Sequence, residues 1–401
     1  MNEESRYAVG IDIGTTTVRC VVASLSDDGA PTVVGVGAAP NNGMRKGVIS
    51  NLAGPAKAID DALGEAERVS GYQVNNATIN VNGSHIISTK TDGMIALGSA
   101  DHEISEADLI RIEDVATLGK VPANREILEF VPHSYRLDGQ DGIRDPLGMA
   151  GTRLEVKANV VSALTPYVNN LHRTAEMANV RPDQTVASVV AAAKSVLDED
   201  QMESGVAVID LGASTTGISI FEEGDLQFVR IIPVGSANIT NDLAIGLKTV
   251  PEVAEIVKLQ HGVAIPREES RNAMVKREKE HYSFNTEEID EIIEARLEEI
   301  FEAIKKELKR AGRDKKLPSG IVLTGGGANL RKIADFSRNY LELASQVGKI
   351  KEVGSAAGEI NKPEYATAIG LMIENSRLSS LDTRHSHNEG GFFKKLFRKR
   401  K

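Results

Sequence analysis

Asp12, Gly14, Thr15, Thr16 and Thr17 follow an apolar run that begins at Ala8, and Asp210, Gly212, Ser214, Thr215 and Thr216 follow another that begins at Ala207. Each group joins one carboxylate, one glycine and a row of hydroxyls, and each leads into a second apolar run, reaching Val22 and Ile220. β-Branched residues around a glycine predict a strand, a tight turn and a returning strand. Such a turn exposes successive backbone N–H groups, and hydroxyls add donors, so it suits an anion such as a phosphate. The carboxylate opening each turn suits Mg2+, a small hard cation that keeps several waters and takes few protein oxygens. Asp12 and Asp210 are therefore the metal-side candidates, and the two turns facing each other would clamp the phosphates of ATP. An ordinary hairpin accounts for either copy alone; the duplication in separate halves carries the reading.

A third element supports it. Ile321 to Leu323 predicts a short strand that runs into Thr324-Gly325-Gly326-Gly327-Ala328, where a glycine run lets the backbone lie flat against a planar ligand such as adenosine. The order Asp-x-Gly, Asp-x-Gly, strand-Gly-Gly-Gly resembles the actin, sugar kinase and Hsp70 ATPase superfamily. That resemblance implies an α/β fold of two lobes with ATP in the cleft between them.

Bulk properties agree with a globular chain: 401 residues suit two domains with insertions, and 41% hydrophobic content is enough for real cores. The apolar run from Ala8 to Ala23 is broken by Asp12 and Arg19, which argues against a signal peptide, and no window reaches the length of a membrane span. The single cysteine, Cys20, excludes an internal disulfide, fits a reducing compartment and reads as core packing.

Charge distribution says more than the net charge of −10. Lys394, Lys395, Arg398, Lys399, Arg400 and Lys401 crowd the last eleven residues, so the body is more acidic than the whole, which argues against general nucleic-acid binding. Phe392, Phe393, Leu396 and Phe397 fall on one helical face there, with Lys394, Lys395 and Arg398 around it. The pattern is that of a helix lying on an anionic membrane surface. Each basic residue contributes only about 1 kcal/mol there, so several tails on one polymer would hold far better than one. Residues 375–390, rich in Ser, Asn, His and Gly, read as a flexible linker to this 391–401 helix.

Two insertions separate the motifs. In the first, Ser105-Glu106-Ala107-Asp108 predicts a capping box opening a helix through about Leu118, with strands at 85–89, 127–137 and 153–161, a small α+β subdomain. The second closes with a long helix from Thr286, acidic early and basic late, ending at Gly312. Ile289, Ile292, Ile293, Leu297, Ile300, Phe301, Ile304 and Leu308 give it one apolar face. The predicted division is residues 1–84 with 162–197 as the first lobe, 85–161 as its insert, 198–244 with 313–374 as the second lobe, and 245–312 as its insert.

Further blocks narrow the resemblance: Gly43-Met44-Arg45-Lys46-Gly47-Val48, Gly83-Ser84-His85-Ile86, the stretch from Asp145-Pro146-Leu147-Gly148-Met149 to Leu154, Ala254-Glu255-Ile256-Val257-Lys258, and Pro363-Glu364-Tyr365 through Leu371. With the basic, aromatic tail these make the chain similar to the FtsA family of actin-related bacterial cell division proteins. The resemblance implies an ATP-binding, filament-forming protein at the cytoplasmic face of the membrane at the division site. It would tether filaments of the tubulin homologue FtsZ there and recruit later division proteins. Carried onto this chain, Gly14 to Thr17 and Gly212 to Thr216 would hold phosphates, with Asp12 and Asp210 near Mg2+. Gly325, Gly326 and Gly327 would face adenosine, and Glu255 and Lys258 would approach ribose and base; the alternative for that pair is an ordinary i,i+3 surface ion pair. Arg296, Lys305 and Lys306 would meet the acidic FtsZ C-terminal peptide, Arg296 first because a guanidinium grips a carboxylate with two bonds; a solvated helix face accounts for each as well.

One departure bears on catalysis. The family carries an acidic residue followed by proline in the corner within 183–197, and this chain has Ser188-Val189. Phosphoryl transfer depends on a positioned nucleophile, so the expectation is binding with slow or absent hydrolysis. A pilus-assembly actin homologue is the alternative scaffold; a small-molecule kinase would need a substrate cleft that the first insertion and the tail do not suggest.

Overall fold

The computed structural model describes residues 6–26, 29–99, 101–351, 353–356 and 360–385. Two sheets organise it. A six-stranded sheet has the order Arg181–Ala187, Asn76–Val81, Tyr7–Ile13, Thr17–Leu25, Pro31–Pro40, Gly354–Ser355. A nine-stranded sheet has the order Ser345–Val347, Ile321–Thr324, Val206–Leu211, Thr216–Glu222, Asp225–Ile232, Ile87–Ala96, Arg153–Leu164, Arg125–Leu137, Gln140–Ile143. Both predicted hairpins form, as antiparallel pairs with registers such as Asp12↔Arg19 and Asp210↔Gly217. Their strands read as nearly continuous apolar runs because both faces are covered. Val9, Ile11 and Ile13 pack in the first lobe's core and Ala207, Ile209 and Leu211 in the second's.

The first insert forms a helix at Glu106–Thr117 under the Ser105/Asp108 capping box, against the strands Ile87–Ala96 and Arg153–Leu164. It has its own core of Ile95, Ile112, Tyr135 and Leu154. The strands run longer than the sequence suggests, since Lys90 and Asp92 of Ile87–Ala96 are exposed and interrupt the apolar run without ending the strand. The insert is not a free knob: Ile87 bridges Arg230 of the second lobe, and Asn159 Nδ2 donates to the Leu226 carbonyl at 3.1 Å. The long helix spans Thr286–Arg310 and buries Ile289, Ile293, Leu297, Ile300, Phe301, Ile304 and Leu308, each worth roughly 1.5–3 kcal/mol by burial. Its cap is Asn285, which accepts from the Glu287 N–H at 2.9 Å; the Thr286 hydroxyl accepts from the Arg271 N–H instead.

The C-terminal part corrects two expectations. Helix Ala366–His385 runs through position 375, where the sequence reading began a linker, and it packs on the first lobe rather than the second. Asn375 is 4% exposed; its Oδ1 accepts from the Val9 N–H at 2.9 Å and its Nδ2 donates to Thr78 at 3.1 Å. A polar residue that reads as linker is here an internal bolt, and no sequence pattern distinguishes the two. The close fit comes from small residues: a Cβ on Gly370 would lie 1.7 Å from the Ala191 carbonyl oxygen of helix Ser188–Val196, and one on Gly10 2.1 Å from that of Ala368. The Phe392–Arg398 segment proposed for the membrane lies outside the described residues, and no helix among the described residues is long and apolar enough to cross a membrane.

Candidate functional site

The two turns meet. Thr15 Oγ1 and Ser214 Oγ lie 2.8 Å apart across 199 residues of sequence. Their geometry is the same: Gly14 N–H donates to the Thr17 carbonyl at 3.2 Å, and Gly212 N–H to that of Thr215 at 2.9 Å. A Cβ on either glycine would crowd that same carbonyl oxygen, at 2.6 and 2.9 Å, so each turn closes only around glycine. Asn82 Nδ2 donates to Thr215 Oγ1 at 3.1 Å, a further bond between lobes. Thr16 is exposed beside the first turn. The Thr216 hydroxyl is spent on the Val234 carbonyl at 2.9 Å in a fully buried position, which leaves Ser214 and Thr215 as the hydroxyls of the second turn that stand at the cleft.

Asp12 and Asp210 stand where these turns begin. Burial raises the Asp12 carboxyl to about 7, with Arg19 opposing the shift and Asp210 adding to it. Burial likewise raises Asp210 to about 6, against a hydrogen bond from Thr324 and the charge of Arg19. Two carboxylates that each resist ionisation form a ready seat for a cation, which would remove the penalty. Asn80, which the sequence reading did not single out, orients the first: its Nδ2 donates to Asp12 Oδ1 at 2.7 Å and its Oδ1 accepts from the Ile13 N–H at 2.7 Å. The same amide reaches Ser188 Oγ at 2.9 Å, and that hydroxyl in turn donates to the Val81 carbonyl at 3.2 Å. Ser188 is 2% exposed, so it is a structural tie at this corner and holds no free group toward the cleft.

The third element joins them through the parallel pair Asp210↔Thr324. Gly325 follows at φ 80°, and a Cβ there would lie 2.4 Å from Asp210 Oδ1, so only glycine fits; a Cβ on Gly326 would meet nothing within 4 Å, an open face beside the carboxylate. Gly327 lies against Leu211 and Ser236. Lys258 reaches the Ser236 carbonyl at 3.4 Å, so the Glu255/Lys258 pair of helix Pro251–His261 borders the glycine run. The pair is closed on itself at 2.7 Å, and both side chains bond Thr240.

The basic residues of the long helix stand apart from this cleft. Arg296 holds Asp242 through two bonds of 2.5 and 3.0 Å and Glu299 at 2.6 Å. Lys305 lies 5.6 Å over the Tyr340 ring, and Lys306 is exposed. Arg19 was legible only as a break in an apolar run. The register puts it opposite Asp12 on one face of the hairpin, a signal available once the hairpin is drawn.

Residues 207–370 match the family model described as cell division protein FtsA, and residues 83–162 match that of the SHS2 domain inserted in FtsA. Cell division protein FtsA of Bacillus subtilis is 34% identical over 376 residues, 93% of this chain and 84% of its own. That of Pseudomonas aeruginosa is 31% identical over 375 residues, 92% and 89%. Among solved structures, the chain from the PilM-PilN type IV pilus biogenesis complex superposes with a TM-score of 0.67 at 17% identity, covering 92% of this chain and 98% of its own. MreB5 of Spiroplasma citri bound to ADP gives 0.56 at 13% identity, covering 96% and 100%. The fold is therefore actin-like, and the chain, with an FtsA-type insert, belongs to the FtsA family of bacterial cell division proteins.

Proposed function

We propose that the protein binds Mg-ATP in this cleft, assembles into actin-like filaments, and tethers FtsZ filaments to the cytoplasmic face of the membrane at the division site, where later division proteins are recruited. The observation that carries the nucleotide part is the Thr15–Ser214 contact of 2.8 Å, which sets two anion-binding turns face to face. Gly14 to Thr17 and Gly212 to Thr215 would hold phosphates, Gly325 to Gly327 adenosine, and Glu255 and Lys258 the ribose and base. Among the described residues no group of three or more His, Cys, Asp or Glu side chains is arranged for a metal. The donor set is thus two carboxylates, which fits Mg2+ held largely by water and phosphate. Bound there, the metal would neutralise phosphate charge. The Ser188 hydroxyl is tied to Asn80 and Val81 and so is not free to hold a water, which supports the reading of the nucleotide as a structural ligand or slow switch.

The FtsZ peptide is assigned to the second insert, with Arg296, Lys305 and Lys306. Lys306 and the face of Lys305 on Tyr340 are the open groups; Arg296 would exchange Asp242 and Glu299 for a peptide carboxylate. Residues 391–401 supply the membrane anchor, on their sequence pattern and family membership.

Co-sedimentation with anionic liposomes and FtsZ, with and without Mg-ATP, tests the adaptor reading. The intact chain is expected to carry FtsZ to the membrane, and a chain ending at Glu389 is expected to leave both in solution. Failure to bind an FtsZ C-terminal peptide would move the protein to another scaffold role, such as pilus assembly. Phe393→Glu is expected to cut liposome binding at least tenfold with ATP affinity unchanged, because a charge on the apolar stripe opposes insertion; undiminished sedimentation with liposomes would remove the anchor assignment.

A further inference from the structure

The base of the first insert is clamped around one histidine. His85 stands where the three long strands of the insert join the first lobe: just before Ile87–Ala96, beside Arg125 at the start of Arg125–Leu137, and against Leu164 at the end of Arg153–Leu164. Its Nδ1 accepts from the Leu164 N–H at 3.3 Å, so Nε2 carries the hydrogen of the neutral ring and donates to the Asn82 carbonyl at 3.0 Å. The ring stacks on Tyr167 with 4.5 Å between centroids, and Arg125 donates to the His85 carbonyl and, at 2.8 Å, to that of Ser162.

Asn82 joins this clamp to the other lobe. Its Nδ2 donates to Thr215 Oγ1 at 3.1 Å, while its Oδ1 accepts from the Gly83 N–H at 2.8 Å. Thr215 is 3% exposed, and Gly47, at the tip of the 44–49 hairpin, packs so closely that a Cβ there would lie 3.1 Å from the Thr215 methyl and 3.0 Å from the Gly83 nitrogen. The Thr215 hydroxyl makes no other hydrogen bond among the described residues. A hydroxyl has one hydrogen and two acceptor positions, so a phosphate taking the hydrogen would not displace Asn82, and donation into an anion makes the oxygen a better acceptor. The insert meets the second lobe along a short seam, where Ile87 bridges Arg230. Asn159, bonded to Leu226, and His133, beside Gln227, lie in that seam, and Asn159 Oδ1 and His133 Nε2 are buried without a hydrogen-bond partner among the described residues. An insert with its own core and a weakly bonded seam takes its orientation from its base.

We propose that Thr215, Asn82 and His85 couple the cleft to the insert: phosphate held at the turn of residues 212–215 fixes the base of the insert, which then presents its surface in one orientation. This rests on the nucleotide reading above. Adenosine, which brings no phosphate to the turn, would leave the base as it is in the empty protein. The coupling is reciprocal, so whatever grips the base of the insert would raise nucleotide affinity by the same factor.

Hydrogen exchange of the full chain, with and without saturating Mg-ATP or adenosine, tests it, with occupancy checked by calorimetry. Exchange at the Ile86 and Leu164 N–H groups is expected to slow about fivefold or more with Mg-ATP and to be unchanged with adenosine. Asn82→Ala is expected to keep Mg-ATP affinity within about tenfold of the wild type and to lose the slowing. The same slowing in Asn82→Ala overturns the proposal, as does adenosine slowing exchange as much as Mg-ATP. A larger loss of Mg-ATP affinity would make Asn82 part of the binding site and overturn its coupling role. If Asn82→Ala does not fold, His85→Phe decides. It keeps the stack on Tyr167 but neither ring nitrogen, and is expected to bind Mg-ATP as the wild type does while Leu164 no longer responds; a preserved response overturns the proposal. A wild-type chain that binds neither ligand defeats the nucleotide reading itself, whereas Mg-ATP binding with an unresponsive base defeats only this inference.

Discussion

Asp12→Asn is expected to raise the melting temperature of the nucleotide-free protein by a few degrees at pH 8 and to change it little at pH 4. The folded carboxyl titrates at about 7 against an ordinary 3.8, chiefly because it is buried. Below the ordinary value both folded and unfolded chains hold the proton, so no penalty exists. Between the two values the unfolded chain ionises first, and folding is penalised increasingly as pH rises. Above about 7 the penalty is complete, at most about 4 kcal/mol for a shift of this size and less after screening. The amide keeps an oxygen to accept from Asn80 and removes the charge. The same variant is expected to bind Mg-ATP on the order of 100-fold more weakly, since the cation loses one of two carboxylates. Thermal melts across pH 4–8 with calorimetric ATP titration read both effects. Equal melting at pH 8 would show that the charge is not a burden on the empty fold. Undiminished Mg-ATP binding would show that the clamp has been misplaced.

Gly370→Ala is expected to destabilise the first lobe by roughly 1–3 kcal/mol or more, although helix propensity alone favours alanine over glycine by about 1 kcal/mol. The opposing term is steric: the new Cβ would lie 1.7 Å from the Ala191 carbonyl oxygen and 2.4 Å from its carbon, both backbone atoms inside a helix, so neither can swing away. Gly64→Ala is the control, because Gly64 is in helix Ala53–Ser70 with nothing within 4 Å of its added Cβ, and it is expected to gain stability. Urea unfolding of the two variants gives the answer. Opposite signs support the crossing as drawn, and a stabilised Gly370→Ala would show that the two helices stand farther apart.

These variants mark where sequence reading stops. The doubled Asp-x-Gly turn was legible because its signals are local: β-branched runs, a glycine and hydroxyls within a few residues. The Ser105 capping box and the apolar face of Thr286–Arg310 were legible for the same reason. Asn80 and Asn82 were not, because nothing in the run from Ala77 to Asn82 shows that these amides point at residues 68 and 133 positions away. Arg19 needed the hairpin register. Asn375 misled outright: buried asparagine and linker asparagine are spelled alike, and only the Val9 and Thr78 partners tell them apart. Arg296 was legible as a carboxylate-gripping residue, but the carboxylates it holds, Asp242 and Glu299, belong to this chain itself.

The helix Ala366–His385 has a mechanical consequence. Any force applied to the chain beyond His385 enters the folded body through this helix. The helix is wedged between strand Tyr7–Ile13 and helix Ser188–Val196, with Asn375 bolted to the strand and Gly370 seated against Ala191. Such a load is shared across a row of interlocked contacts that strain together in shear, in contrast to an edge strand, which would unzip one bond at a time. The strand that bears it is the one ending in Asp12 and Gly14, so tension at the C-terminal end would be felt first at the floor of the cleft.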